Sequence, residues 1–219
     1  MKTLHFLFVL LVLSGNTFGQ LSNDNSMTVI VDGKEFKTQP RQIKIGNYAY
    51  FTGNATKPDK MLRIWLGDFY GQSAVESGTY LIVNADHPDT KENIKKVQDV
   101  GKYKGIAAIK YVEETKEPRM EYHVGESQNN DETLEVKVGT DNFIEVTFSG
   151  TLTGTYWKEK ASATVFGGLG RIKDKFESKA ITSATGFDSD IDPEGNGYKK
   201  QDKKDTIVLK DGKMKLKKN

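Results

Sequence analysis

The chain predicts an all-β fold, and three observations carry that prediction. The dominant hydrophobic period is two rather than 3.6, the apolar runs are short and rich in β-branched and aromatic residues, and Gly, Asn and Asp bound them. Residues 27–31 and 34–36 flank Asp32-Gly33, a pair that accepts the positive φ angles of a two-residue type I′ turn. That turn sets Val31 opposite Lys34 and Val29 opposite Phe36. A second hairpin is expected at residues 206–210 and 213–217, around Asp211-Gly212. Its register would place Leu209 opposite Met214 and Ile207 opposite Leu216, with all four buried and Lys210, Lys213, Lys215 and Lys217 on the other face.

Between the hairpins, Leu62, Ile64 and Leu66 alternate with Arg63 and Trp65. Leu134, Val136 and Val138 alternate with Glu135 and Lys137, and Ile144, Val146 and Phe148 with Glu145 and Thr147. Each reads as a half-buried strand. Further strands are expected at 42–45, 47–52, 78–84, 106–112 and 161–166. About ten short strands build an antiparallel β-sandwich, with a barrel as the alternative closure. One short helix is expected at 90–100, where Asp89 caps, Glu92 completes a capping box, Ile94 and Val97 share a face, and Gly101 ends it. The polar stretches 126–132 and 186–205 read as loops. The first is a candidate subdomain boundary, although no composition shift marks it.

Residues 1–19 read as a signal peptide. Lys2 supplies the positive charge, 4–13 form an apolar run too short to span a bilayer, and Thr17 and Gly19 are the small residues a signal peptidase favours, so cleavage is expected near Gly19. The remainder, 20–219, is expected to form a single β-sandwich domain with an acidic loop insertion near 186–205. It contains no second long apolar run, hence no expected transmembrane segment in the mature chain. The sequence has no cysteine, so no disulfide framework supports the fold. With 32 basic and 30 acidic side chains, there is no basic field to attract nucleic acid.

The segments 28–36 (TVIVDGKEF), 77–82 (SGTYLI), 146–154 (VTFSGTLTG) and 209–214 (LKDGKM) give the chain a motif order that resembles small exported β-rich proteins common in Bacteroidota, a group without assigned function. The resemblance covers about a quarter of the chain. It implies an exported β-sandwich and no particular chemistry. The helix-bearing segment 85–104 and the acidic loop are long for that pattern, and the lipid-anchoring cysteine of many relatives is missing.

The stretch 188–198 places carboxylates at alternate positions, as calcium-wrapping loops do. An EF-hand needs Gly at the sixth position and Glu at the twelfth, where this chain has Pro193 and Lys199. A looser calcium loop from Asp188, Asp190, Asp192, Glu194 and the Asn196 amide is the remaining metal reading. Its competitor is a hydrated acidic loop. Trp65, Phe69 and Tyr70 form a candidate ligand platform, weighed against burial of Trp65 in a core. Nine lysines lie between 199 and 218, interleaved with Asp202, Asp205 and Asp211. They suit a solvated sheet edge better than a site for an acidic polysaccharide or lipid.

Only His87 and His123 remain outside the leader, and no nucleophile elbow or dinucleotide fingerprint is present; Gly167-Gly-Leu-Gly170 is too short for a phosphate loop. The sequence therefore points to an exported, non-catalytic binding or envelope-support module, calcium-stabilised if the acidic loop closes on a cation. A cell-surface glycan or an envelope protein is the expected partner. The alternative is a carbohydrate-active hydrolase working with paired carboxylates.

Overall fold

The protein is seen in a computed structural model that describes residues 24–45, 48–55, 58–67, 75–117, 119–160, 191–194 and 197–218. The expected leader at 1–19 and the expected strand at 161–166 lie outside the described residues. Within them the fold is all-β: eleven strands in one sheet and a single short helix.

Strands β1 (Ser26–Val31) and β2 (Lys34–Thr38) form the hairpin read from the sequence, with Val31 opposite Lys34 and Val29 opposite Phe36. Asp32 and Gly33 both take positive φ, 46° and 81°, as a type I′ turn requires. Strands β3 (Arg41–Ile45), β4 (Tyr48–Ala55) and β5 (Lys60–Gly67) continue as an antiparallel meander. Strand β6 (Gly78–Ile82) leads through helix α1 (Lys91–Val100) to β7 (Gly105–Lys116), and β6 and β7 pair in parallel. Parallel neighbours need a long crossover, and the helix supplies it. This pair departs from the expected all-antiparallel pattern.

Strands β8 (Glu121–Ser127), β9 (Thr133–Val138), β10 (Phe143–Glu159) and β11 (Tyr198–Lys217) complete the sheet. Its main path runs β2-β1-β11-β10-β9-β6-β7-β5-β4-β3, with β8 filling the space between β10 and the far half of β7. The sheet thus forks. At the fork, the buried Ser127 hydroxyl accepts from Ile109 N–H at 3.0 Å and donates to Val83 C=O at 2.7 Å, replacing ladder bonds that the branching strands lose.

Apolar side chains from both wings share one core. Met27, Val29 and Phe36 from β1 and β2 meet Phe51, Leu62, Ile64, Ile109, Tyr111, Val146 and Leu209. Phe36 sets its ring edge-on to Tyr111, 6.1 Å between centroids, which ties one wing to the other across the interior.

Four sequence expectations are corrected. The closing hairpin does not form: β11 passes straight through Asp211-Gly212 between β1 and β10. Asp211 has φ 52° but Gly212 does not share a positive φ, so the pair makes a bulge instead of a I′ turn. The extra residue switches side-chain parity. It lets Ile207 and Leu209 before it, and Met214 and Leu216 after it, reach the same core, paired with β10 rather than with one another. Gly212 is required by proximity, because a Cβ there would stand 2.5 Å from the Phe148 ring.

The helix N-cap is Thr90 rather than Asp89, its hydroxyl accepting from Asn93 N–H at 3.2 Å; Gly101 ends the helix as expected. The expected loop at 126–132 is shortened to 128–132, because Glu126 and Ser127 belong to β8, which pairs with both β7 and β10. The expected loop at 186–205 gives way to β11 from Tyr198 onward.

Candidate functional site

The outer face of the sheet carries the chemistry. Alternation sends Leu62, Ile64 and Leu66 inward and Met61, Arg63 and Trp65 outward. Cross-strand register then lines up Thr52, Arg63, Lys110, Glu126 and Thr153 in one transverse row over β4, β5, β7, β8 and β10. The neighbouring row is Tyr50, Trp65 and Ala108. Two like charges directly opposite one another, Arg63 and Lys110, would repel if left bare.

They are covered by the segment 191–194. Ile191 is fully buried against Met61, Val112, Tyr122 and Val124, which pins the segment to the sheet. Asp192 then lies 3.1 Å from Lys110 Nζ and 3.6 Å from Arg63 Nη1, and Glu194 lies 2.8 Å from Lys110 Nζ. The Asp192 carboxylate also accepts from Glu194 N–H at 3.2 Å. Glu126 approaches Lys110 at 3.5 Å. One ammonium is therefore shared by three carboxylates. Burial opposes the Lys110 charge, but Asp192, Glu194 and Glu126 outweigh it and raise its pKa above the ordinary lysine value. Burial raises the Glu126 carboxyl above its ordinary value, with Asp86 and Glu194 adding to the effect and Lys110 opposing it.

Above this row opens a pocket of about 280 Å³. Tyr50 and Trp65 form its aromatic wall, Arg63, Lys110 and Glu126 its floor, and Asp86, Pro88 and Glu194 its rim. Helix α1 positions the rim: Val97 packs with Trp65, Leu81, Val83, Ile106 and Ala108, and the lead-in to the helix carries Asp86 and Pro88 beside the pocket.

A second cluster joins three strands at the rim of the core. His123 Nε2 meets Asp205 at 2.7 Å, the Tyr156 hydroxyl donates to Asp205 at 2.9 Å, and the His123 and Tyr156 rings stack 4.3 Å apart. Lys203 lies 4.2 Å above the Tyr156 ring. Burial works against the Asp205 charge, but the bonds from His123 and Tyr156 prevail and lower its pKa.

Of the expected calcium ligands, Asp192 and Glu194 are paired with Lys110, while Asp188, Asp190 and Asn196 lie outside the described residues. Among the described residues no group of three or more His, Asp or Glu side chains is placed to hold a metal ion. Trp65 is 7 % exposed, so it serves as a pocket wall rather than an open platform; Phe69 and Tyr70 lie outside the described residues. Arg63, Lys110 and Glu126 were not among the expected site residues. The available signal was Lys110, a lone cation inside the apolar run 105–112.

Fold and pocket define a class: a folded β-sheet protein with a small amphipathic site on its outer face. No family model matches the chain, and no curated protein or solved structure matches it either. Among the described residues, no helix is long and apolar enough to cross a membrane.

Proposed function

We propose that the protein is an exported binding module that holds a small, sugar-sized ligand against Trp65 and Tyr50. One observation supports this above the rest: an aromatic wall stands directly beside a desolvated row of Arg63, Lys110 and Glu126 in an open pocket of about 280 Å³. Apolar surface that holds a ring and a few polar groups that fix its orientation are the usual parts of a small-molecule site. Burying charges on a sheet face costs stability, and a hydrophobic row would stabilise the fold as well or better. Isothermal titration of the purified protein with a panel of monosaccharides tests the reading, with Trp65→Ala as the control. Heat that disappears in the variant supports it, and absence of heat with every sugar defeats it.

The same carboxylates favour a second reading, cleavage of a glycosidic bond. Glu126 is raised by burial in the direction a general acid needs, and Asp192 and Glu194 stand on the same ammonium. Release of reducing sugar from an oligosaccharide, lost in Glu126→Gln, would separate catalysis from binding.

A further inference from the structure

We infer that the ligand of this pocket carries a protonated amine on its ring, as an amino sugar does. The inference rests on the pocket being a ligand site and adds the charge of its occupant.

Three carboxylates, Asp86, Glu126 and Glu194, and two cations, Arg63 and Lys110, line the pocket, and a fourth carboxylate, Asp192, is paired with both cations. Lys200, lying over the Trp157 ring, is the next cation outward and acts on Glu126 at longer range. The excess is negative. The two cations are also already engaged: Asp192 and Glu194 occupy Lys110, and Asp192 reaches Arg63. An anionic ligand would have to displace carboxylates that belong to the same chain and are tethered by the buried Ile191.

Glu126 is in the opposite condition. It is only 6 % exposed, yet its carboxylate meets a single cation, Lys110, at 3.5 Å, and it lines the pocket. An ionised carboxylate has room for about four hydrogen bonds, and Lys110 takes up only part of that capacity. An ammonium group there would gain a charge-assisted bond to Glu126, long-range attraction to Asp86 and Glu194, and the faces of Trp65 and Tyr50. A neutral hydroxyl would gain only the first of these, in weaker form. A carboxylate would be repelled.

The experiment is isothermal titration of the purified protein with four probes: glucosamine, N-acetylglucosamine, glucose and glucuronate, at a pH where the amine of glucosamine is protonated. Acetylation removes the charge and keeps the ring. Glucosamine is expected to bind about tenfold tighter than the other three, with the advantage falling to about twofold in Glu126→Gln. Should Glu126→Gln fail to fold, Asp86→Asn on the exposed rim is expected to reduce the same advantage by about twofold without touching the floor. Equal binding of charged and neutral sugars, or preferred binding of glucuronate, overturns the inference and leaves the pocket reading standing. No binding of any probe overturns both. A glucosamine advantage that persists in Glu126→Gln and Asp86→Asn overturns the assignment of the amine to this carboxylate face.

Discussion

Strands β5, β7 and β8 show two faces built on opposite principles. On the inner face, Leu62, Ile64, Ile109 and Tyr111 bury apolar surface, and each contact stabilises the fold without reference to any particular partner. On the outer face the same strands present Arg63, Lys110 and Glu126, whose burial is unfavourable except in the presence of one another and of Asp192. The inner face tolerates exchange, whereas the outer face is an all-or-none set. The first kind of face is built of independent contacts; in the second each charge depends on the others.

The harshest way to break this division is deletion of Asp211. It removes the bulge that returns Met214 and Leu216 to the core, and it is expected to abolish the cooperative thermal transition, because every later side chain switches face. A cooperative melt close to that of the parent would show that the bulge does not set parity. Next, Lys110→Ala should cost about 3 to 5 kcal/mol in urea unfolding, since three carboxylates lose their shared ammonium. Ile109→Ala, one residue away on the inner face, should cost a comparable 2 to 5 kcal/mol, about the price of the cavity it leaves.

The two faces separate on repair. Combining Arg63→Leu, Lys110→Met, Glu126→Leu and Asp192→Asn should bring stability back to within about 1 kcal/mol of the parent, because the outer set is removed as a unit. If the quadruple variant is as unstable as Lys110→Ala, the charges are structural and the contrast between faces collapses.

The smallest effect concerns pH. Asp205 has its folded pKa below the ordinary 3.8, so its pairing stabilises the protein in full above that value and is lost as the pH falls through the lower folded one. His123→Ala should remove part of this acid-limb dependence in thermal melts, by a modest amount given how exposed the carboxylate is. An unchanged acid limb would show that the His123 pairing contributes nothing to stability.

The two Asp-Gly pairs show how far local pattern carries. Asp32-Gly33 sits between short strands with nothing to override it, and it forms the turn its chemistry favours. Asp211-Gly212 has the same local chemistry but lies between β1 and β10, whose ladders hold the backbone extended on both sides. Tertiary pairing decided, and no short window contains it. Strand β8 was hidden for a related reason: His123, Gly125 and Glu126 weaken its strand signal, while its pairing comes from β7 and β10. In the site, the alternating carboxylates of 188–198 were legible as groups awaiting a cation. For Asp192 and Glu194 the cation is Lys110, which only the folded sheet brings within reach.

Strand β11 is the last of the described elements in sequence, yet it lies inside the sheet, with β1 on one side and β10 on the other. In the sheet path only β11 joins β1 and β2 to the remaining strands; their other ties are side-chain contacts such as Phe36 on Tyr111 and the Thr38 hydroxyl donating to Asn54 C=O at 2.6 Å. Ser26 pairs with Lys215, and Asn25 accepts from Lys217 N–H at 2.9 Å, so the opening and closing segments of the described fold are stitched to each other. Strand β11 therefore joins the two ends of the described fold, and a break within it would cut β1 and β2 off from the main path of the sheet.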